Sequence, residues 1–182
     1  MMRKNYIILV TLFILNFQLA ANQVCKQRQA RLYSILRGKY YNVLNQNRGG
    51  IISSKLSNSF AGGIQGSCIR DNTNYINGSF GYTACGIGLS IIFDLVQQYQ
   101  LNTLKIWLWD QDNRQYRIKV YLISKGVKTQ IYESNFAQQI ITITFPDQQV
   151  QQIQIYNVNG NTNNVGLHVI KVEAYYKLQR IL

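Results

Sequence analysis

Residues 101–123 read LNTLKIWLWDQDNRQYRIKVYLI. Two alternating runs, 104–109 and 116–123, flank a polar break at 110–115. In the first run Leu104, Ile106 and Leu108 share one face, and Lys105, Trp107 and Trp109 the other. In the second, Ile118, Val120 and Leu122 oppose Arg117, Lys119 and Tyr121. A period of two with one apolar face marks half-buried antiparallel strands. Arg114 and Arg117 stand beside Asp110 and Asp112, which predicts ion pairing within a hairpin turn between the runs.

The pattern extends outward. Further strands are predicted at 89–95, 129–132, 140–145, 153–156 and 168–176, separated by Gly126, by Pro146-Asp147 and by the Asn-rich stretch 157–164. Seven short strands with turns between them imply an all-β sandwich, not a parallel sheet. The Gln-rich stretch 148–154 lies among alternating apolar residues and reads as a solvent-facing side.

Ahead of this domain the chain is different. Arg3 and Lys4, the apolar run 6–15 and the small residues at Ala20-Ala21 predict a signal peptide over 1–21, with a retained membrane anchor as the alternative. Residues 22–50 read as a basic amphipathic helical extension. Leu32, Ile35, Leu36, Tyr40, Val43 and Leu44 recur at helical spacing within 26–46, and Arg48-Gly49-Gly50 closes it. That stripe either packs on the domain or assembles with a partner. Ten basic residues precede Asp71, the first acidic one; after residue 70, nine basic residues face seven acidic, a balance of +2. The basic excess therefore belongs to the extension. It suits a solvated face, an anionic membrane, an acidic protein or nucleic acid, or mitochondrial import.

Secretion would allow a Cys68–Cys85 disulfide, closing about 17 residues for roughly 3 kcal/mol and leaving Cys25 unmatched. Asn77-Gly78-Ser79 is a glycosylation sequon.

The segment from about residue 58 to 178 resembles the discoidin family, the coagulation factor V/VIII C-type domains, and is most similar to the version in certain intracellular BTB-domain proteins. The residues that carry this are Asp71-Asn72-Thr73-Asn74-Tyr75, Phe80-Gly81-Tyr82-Thr83, the glycine-led strand from Gly88 to Leu95, and above all Trp109-Asp110-x-Asp112-x-Arg114-x-Tyr116; Asn161-Thr162, His168 and Glu173 follow in order. The resemblance implies a galactose-binding-like jelly roll over 51–178, after one N-terminal helix and before a short tail at 179–182. It implies a non-catalytic module that binds glycan or protein through loops at one end. The cysteine pair joining the two ends of extracellular members has no counterpart, since no cysteine follows Cys85.

The chemistry-bearing residues agree with binding. His168 is the only histidine, and no Cys or His spacing suits zinc. No nucleophile-and-base set or phosphate loop is present, so no enzyme, cofactor or metal is expected. Trp109 and Tyr116 can stack on a sugar or pack in the structure; Asp110, Asp112, Arg114, Asn161, Asn163 and His168 offer polar contacts. Nucleic acid is not an expected partner, because the basic residues do not interleave with aromatics across the domain. The expectation is a secreted or cell-surface module recognising glycan or protein. The alternative is an accessory structural subunit of a membrane-associated assembly, extracellular, luminal or mitochondrial, with membrane contact through the N-terminus and assembly through residues 26–46.

Overall fold

The computed structural model describes residues 42–62, 66–70 and 81–177. The predicted signal, residues 22–41 of the predicted helix, Cys25, the 71–75 motif, Asn77, Phe80 and the predicted tail at 179–182 lie outside the described residues.

Eight strands form one curled antiparallel sheet: β1 Ile51–Ile52, β2 Ser59–Ala61, β3 Tyr82–Cys85, β4 Ser90–Leu108, β5 Tyr116–Ser124, β6 Val127–Ala137, β7 Ile140–Asn161 and β8 Leu167–Tyr175. The order is β2-β3-β8-β4-β7-β5-β6, with β1 on the free side of β4. Two strands make the sandwich. The first half of β4 pairs with the second half of β7 (Ser90 with Tyr156, Asp94 with Gln152), and its second half pairs with the first half of β7 (Leu104 with Ile143, Trp107 with Ile140). β1 joins β4 at Phe93 and Asp94, whereas β8 joins it at 103–108. The sheet therefore folds over where the β4–β7 register shifts, between Asp94 and Tyr99 and between Leu101 and Thr103.

This explains a difference from the sequence pattern, which divides β4 and β7 into two strands each. Alternation lapses where each strand passes from layer to layer: Val96, Gln97 and Gln98 are exposed on β4, and Pro146, Asp147 and Gln149 on β7. Pro146 falls in the register gap, where no ladder donor is required. On either side the alternation holds. Ile91, Phe93, Leu104, Ile106, Ile118, Val120, Ile153, Ile155, Val169 and Val172 are fully enclosed in one core. Trp107 departs from the expected exposed face: it is buried with Ile170 in a second, smaller cluster against which Trp109 packs.

Two further expectations are corrected. Asn42 to Asn45 are not helical, and only a 3-10 turn, Gln46–Arg48, follows. Val43 and Leu44 instead enter the sandwich core, and the Val43 N–H donates to the Ala174 carbonyl at 2.9 Å. Those apolar positions are satisfied by the domain itself. Cys68 and Cys85 are free thiols, both buried. Burial pushes each thiol up to about 12, which suppresses the thiolate that disulfide chemistry requires. The Cys68 backbone is fixed by another residue: its N–H donates to Thr83 Oγ1 (3.0 Å), and that hydroxyl donates to the Gly66 carbonyl (2.8 Å).

Candidate functional site

The break at 110–115 is not a hairpin turn. β4 and β5 do not pair; each lies beside β7, so the connection crosses between layers at one end of the sandwich. The β6–β7 and β7–β8 connections reach the same end and are stitched to it. Leu108 N–H donates to the Gln139 carbonyl (2.8 Å), Gln138 Nε2 to the Asn113 carbonyl (3.0 Å) and Thr162 N–H to the Gln115 carbonyl (3.0 Å).

The β7–β8 loop is shaped by its asparagines. Asn157, fully buried on β7, donates through Nδ2 to the carbonyls of Cys85 and Val165 (both 3.0 Å) and accepts from Gly160 N–H (2.6 Å). Gly160 has φ +68°, and a side chain there would strike the Asn164 carbonyl at 2.5 Å. Asn161 Oδ1 accepts from the N–H groups of Asn163 (2.8 Å) and Asn164 (3.0 Å), while its Nδ2 donates to Asn164 Oδ1 (2.8 Å) and the Gly166 carbonyl (2.6 Å). Asn161 is thus spent on the loop.

Across from it, Asp112 accepts from Arg114 N–H (3.0 Å), Arg114 Nε (2.7 Å), Arg114 Nη2 and Asn163 Nδ2 (2.8 Å). Four bonds fill a carboxylate's acceptor sites. The bonds from the Arg114 guanidinium hold the Asp112 carboxyl down at about 2, and Asp112 in return raises Arg114. Arg114 lies over the Trp109 ring, 4.0 Å from its centre. Its Nη1 reaches His168 Nδ1 at 3.1 Å. His168 stands half-buried on β8 between the fully buried Leu167 and Val169. Its ring lies 4.6 Å from that of Tyr82 and meets Tyr116 edge-on at 6.3 Å. Burial, and then the positive charge of Arg114, lower His168 to about 4, so it is neutral at pH 7. Tyr116 is fully enclosed, and burial raises its phenol above the ordinary range.

Seven of the eight predicted site residues therefore converge through contacts that span 54 residues of sequence, with distinct roles. Asp112 and Asn161 are saturated and structural, and Trp109 and Tyr116 pack. His168 Nε2 and Asn163 Oδ1 have no partner among the described residues. The eighth, Asp110, stands half-buried beside Trp109 on the same loop. Three contributors escape a sequence reading of the site: Tyr82, Asn157, and Gly166, where a Cβ would meet His168 Nε2 at 2.5 Å. Tyr82 lies within the Gly-aromatic-Thr step, but nothing in one strand signals its diagonal neighbour across β3 and β8. Among the described residues, no group of three His, Cys, Asp or Glu side chains could hold a metal ion.

No family model matches the chain, and no curated protein does. Solved structures do. The family 32 carbohydrate-binding module of C. perfringens NanJ, solved with galactose, aligns at a TM-score of 0.55 and 16% identity, over 74% of this chain and 98% of that one. The fold is that family's galactose-binding-like β-sandwich. A family 32 module of AlyQ, solved with 4,5-unsaturated mannuronic acid, aligns at 0.45 and 20% identity over 52% of this chain and 77% of its own. Truncated AlyQ with its alginate lyase domain aligns at 0.46 and 19% identity over 54% of this chain; this chain spans only 27% of that protein. At these identities the family 32 likeness is one of fold.

Proposed function

We propose that this protein is a non-catalytic glycan-binding module of the family 32 type that takes its ligand at the loop end of the sandwich. One observation carries the reading: Asp112, Arg114, Asn163 and His168, from two loops and a strand, are locked into one polar cluster there. The cluster keeps a donor at His168 Nε2 and an acceptor at Asn163 Oδ1. Sugar hydroxyls both donate and accept, so a prearranged pair of this kind can read them with little ordering cost. The sandwich shared with a galactose-bound module supports the same ligand class. The signal-like start and the predicted sequon fit action outside the cytoplasm.

The test is a glycan array on the full chain, followed by calorimetry with the best ligand. Binding that falls at least tenfold in Asn163→Ala and His168→Ala, as loss of a hydrogen bond in a desolvated site predicts (about 1.4 kcal/mol or more), is the expected result. An array without hits, or hits that both variants retain, overturns the proposal.

A further inference from the structure

We propose that Arg114 is a positioning residue that locks His168 in a single tautomer, with the proton on Nε2, so that the loop end presents a fixed hydrogen-bond donor at that point into acidic solution. The ligand half of this inference rests on the glycan reading; the tautomer half does not.

A guanidinium has donors and no acceptor. Its 3.1 Å contact with His168 Nδ1 therefore makes that nitrogen the acceptor and leaves the ring proton on Nε2. Arg114 cannot readily turn away. Asp112 holds its Nε and Nη2, the Trp109 ring lies 4.0 Å below it, and its side chain is only 10% exposed. Asp112 is itself tied to Asn163 on the facing loop. The imidazole is equally confined by Tyr82, Tyr116 and the backbone of Gly166.

Protonating Nδ1 would set two donors and two positive charges against each other. The groups around the ring do not relieve this. From the β4–β5 connection come Arg114, which opposes the imidazolium, and Asp112, which favours it but has no acceptor site left; Asp110 is on the same loop. From β3 and β5 come the neutral Tyr82 and Tyr116, and from the β7–β8 loop the uncharged Asn163 and Asn164. The position of His168 at about 4 agrees with this geometry. It follows that the ligand atom at His168 carries a lone pair, as a hydroxyl, ether or acetamido oxygen does. A sugar ammonium has none to offer.

His168 is the only histidine in the chain, so a long-range proton–nitrogen spectrum of the 15N-labelled protein contains one imidazole pattern. The expected result is the Nε2–H pattern at pH 7, unchanged from pH 8 to pH 5. Arg114→Met should give mixed tautomers and a midpoint above the wild-type one but still below that of a free histidine, because the burial that chiefly lowers it remains. An Nδ1–H pattern, or a wild-type midpoint near 6.5, overturns the inference; the wild-type spectrum decides even where the variant does not fold. A locked Nε2–H in a protein that binds no glycan refutes the functional reading alone. Glycan binding with an unlocked tautomer refutes this inference alone.

Discussion

Replacing Asn157 by alanine is the sharpest test of how the loop end is built. The amide of Asn157 is fully buried and makes three bonds to backbone, to the Cys85 and Val165 carbonyls and from Gly160 N–H. Alanine supplies none of them. Gly160 N–H, on a buried residue, loses its sole described partner, which costs about 2 kcal/mol. Each carbonyl retains a second lone pair, and Val165 is near solvent, so the two add roughly 0.5 kcal/mol apiece. The sum is about 3 kcal/mol, or a fall of about 10 °C in melting temperature for a domain of this size. Differential scanning calorimetry reads it directly. Asn159→Ala, two residues along and exposed, is the control and should shift stability by less than about 0.5 kcal/mol. If Asn157→Ala melts within about 3 °C of wild type, the loop is not held by this amide and the reasoning fails.

Three other outcomes are expected. Gly166→Ala would place a methyl 2.5 Å from His168 Nε2 and push the ring off Tyr82 and Arg114, so glycan affinity should be lost and melting temperature should fall; calorimetry with the array's best ligand and a melting curve check it. Because the folded state lowers His168 from 6.5 to about 4, the unfolded chain binds more protons between those values; the stabilisation is complete above pH 6.5 and is lost as pH falls toward 4. For a half-exposed ring that is about 1–2 kcal/mol after solvent screening, measurable by urea titration at pH 7 and 4.5 and absent in His168→Gln. Cys68 and Cys85, buried and pushed up to about 12, should resist iodoacetamide in the native protein and take label in urea; a denatured protein in which these two positions take no label would carry the disulfide that the structure lacks.

The layered β character is legible because enclosure on one side writes itself into every second residue, as at Ile118, Val120 and Leu122. The gathering of Asp112 and Arg114 with His168 is legible only through the likeness to a known domain, since no local pattern links residues 54 apart. What stays hidden follows from pairing, which a single strand does not encode. The 110–115 segment has the composition of a turn, yet it crosses layers because β4 and β5 are each matched to β7. Val43 and Leu44 keep helical spacing with residues before them but are captured by the sandwich through the Ala174 carbonyl. Asn157 looks like one of several loop asparagines, and only its enclosure beneath Cys85 and Val165 sets it apart.

The chain joins and leaves the sandwich side by side. The Val43 N–H bonds to the Ala174 carbonyl, and Asn102 Nδ2 bonds to the Lys177 carbonyl. β8 begins beside His168 and ends at Tyr175, so these attachment points stand roughly 23 Å from His168, toward the opposite pole. Among the described residues, the points where the chain enters and leaves the sandwich thus share the end away from the loop cluster. The Val43 and Asn102 bonds can therefore be altered without touching Asp112, Arg114 or His168, which separates the closing of the sandwich from the chemistry of its loops.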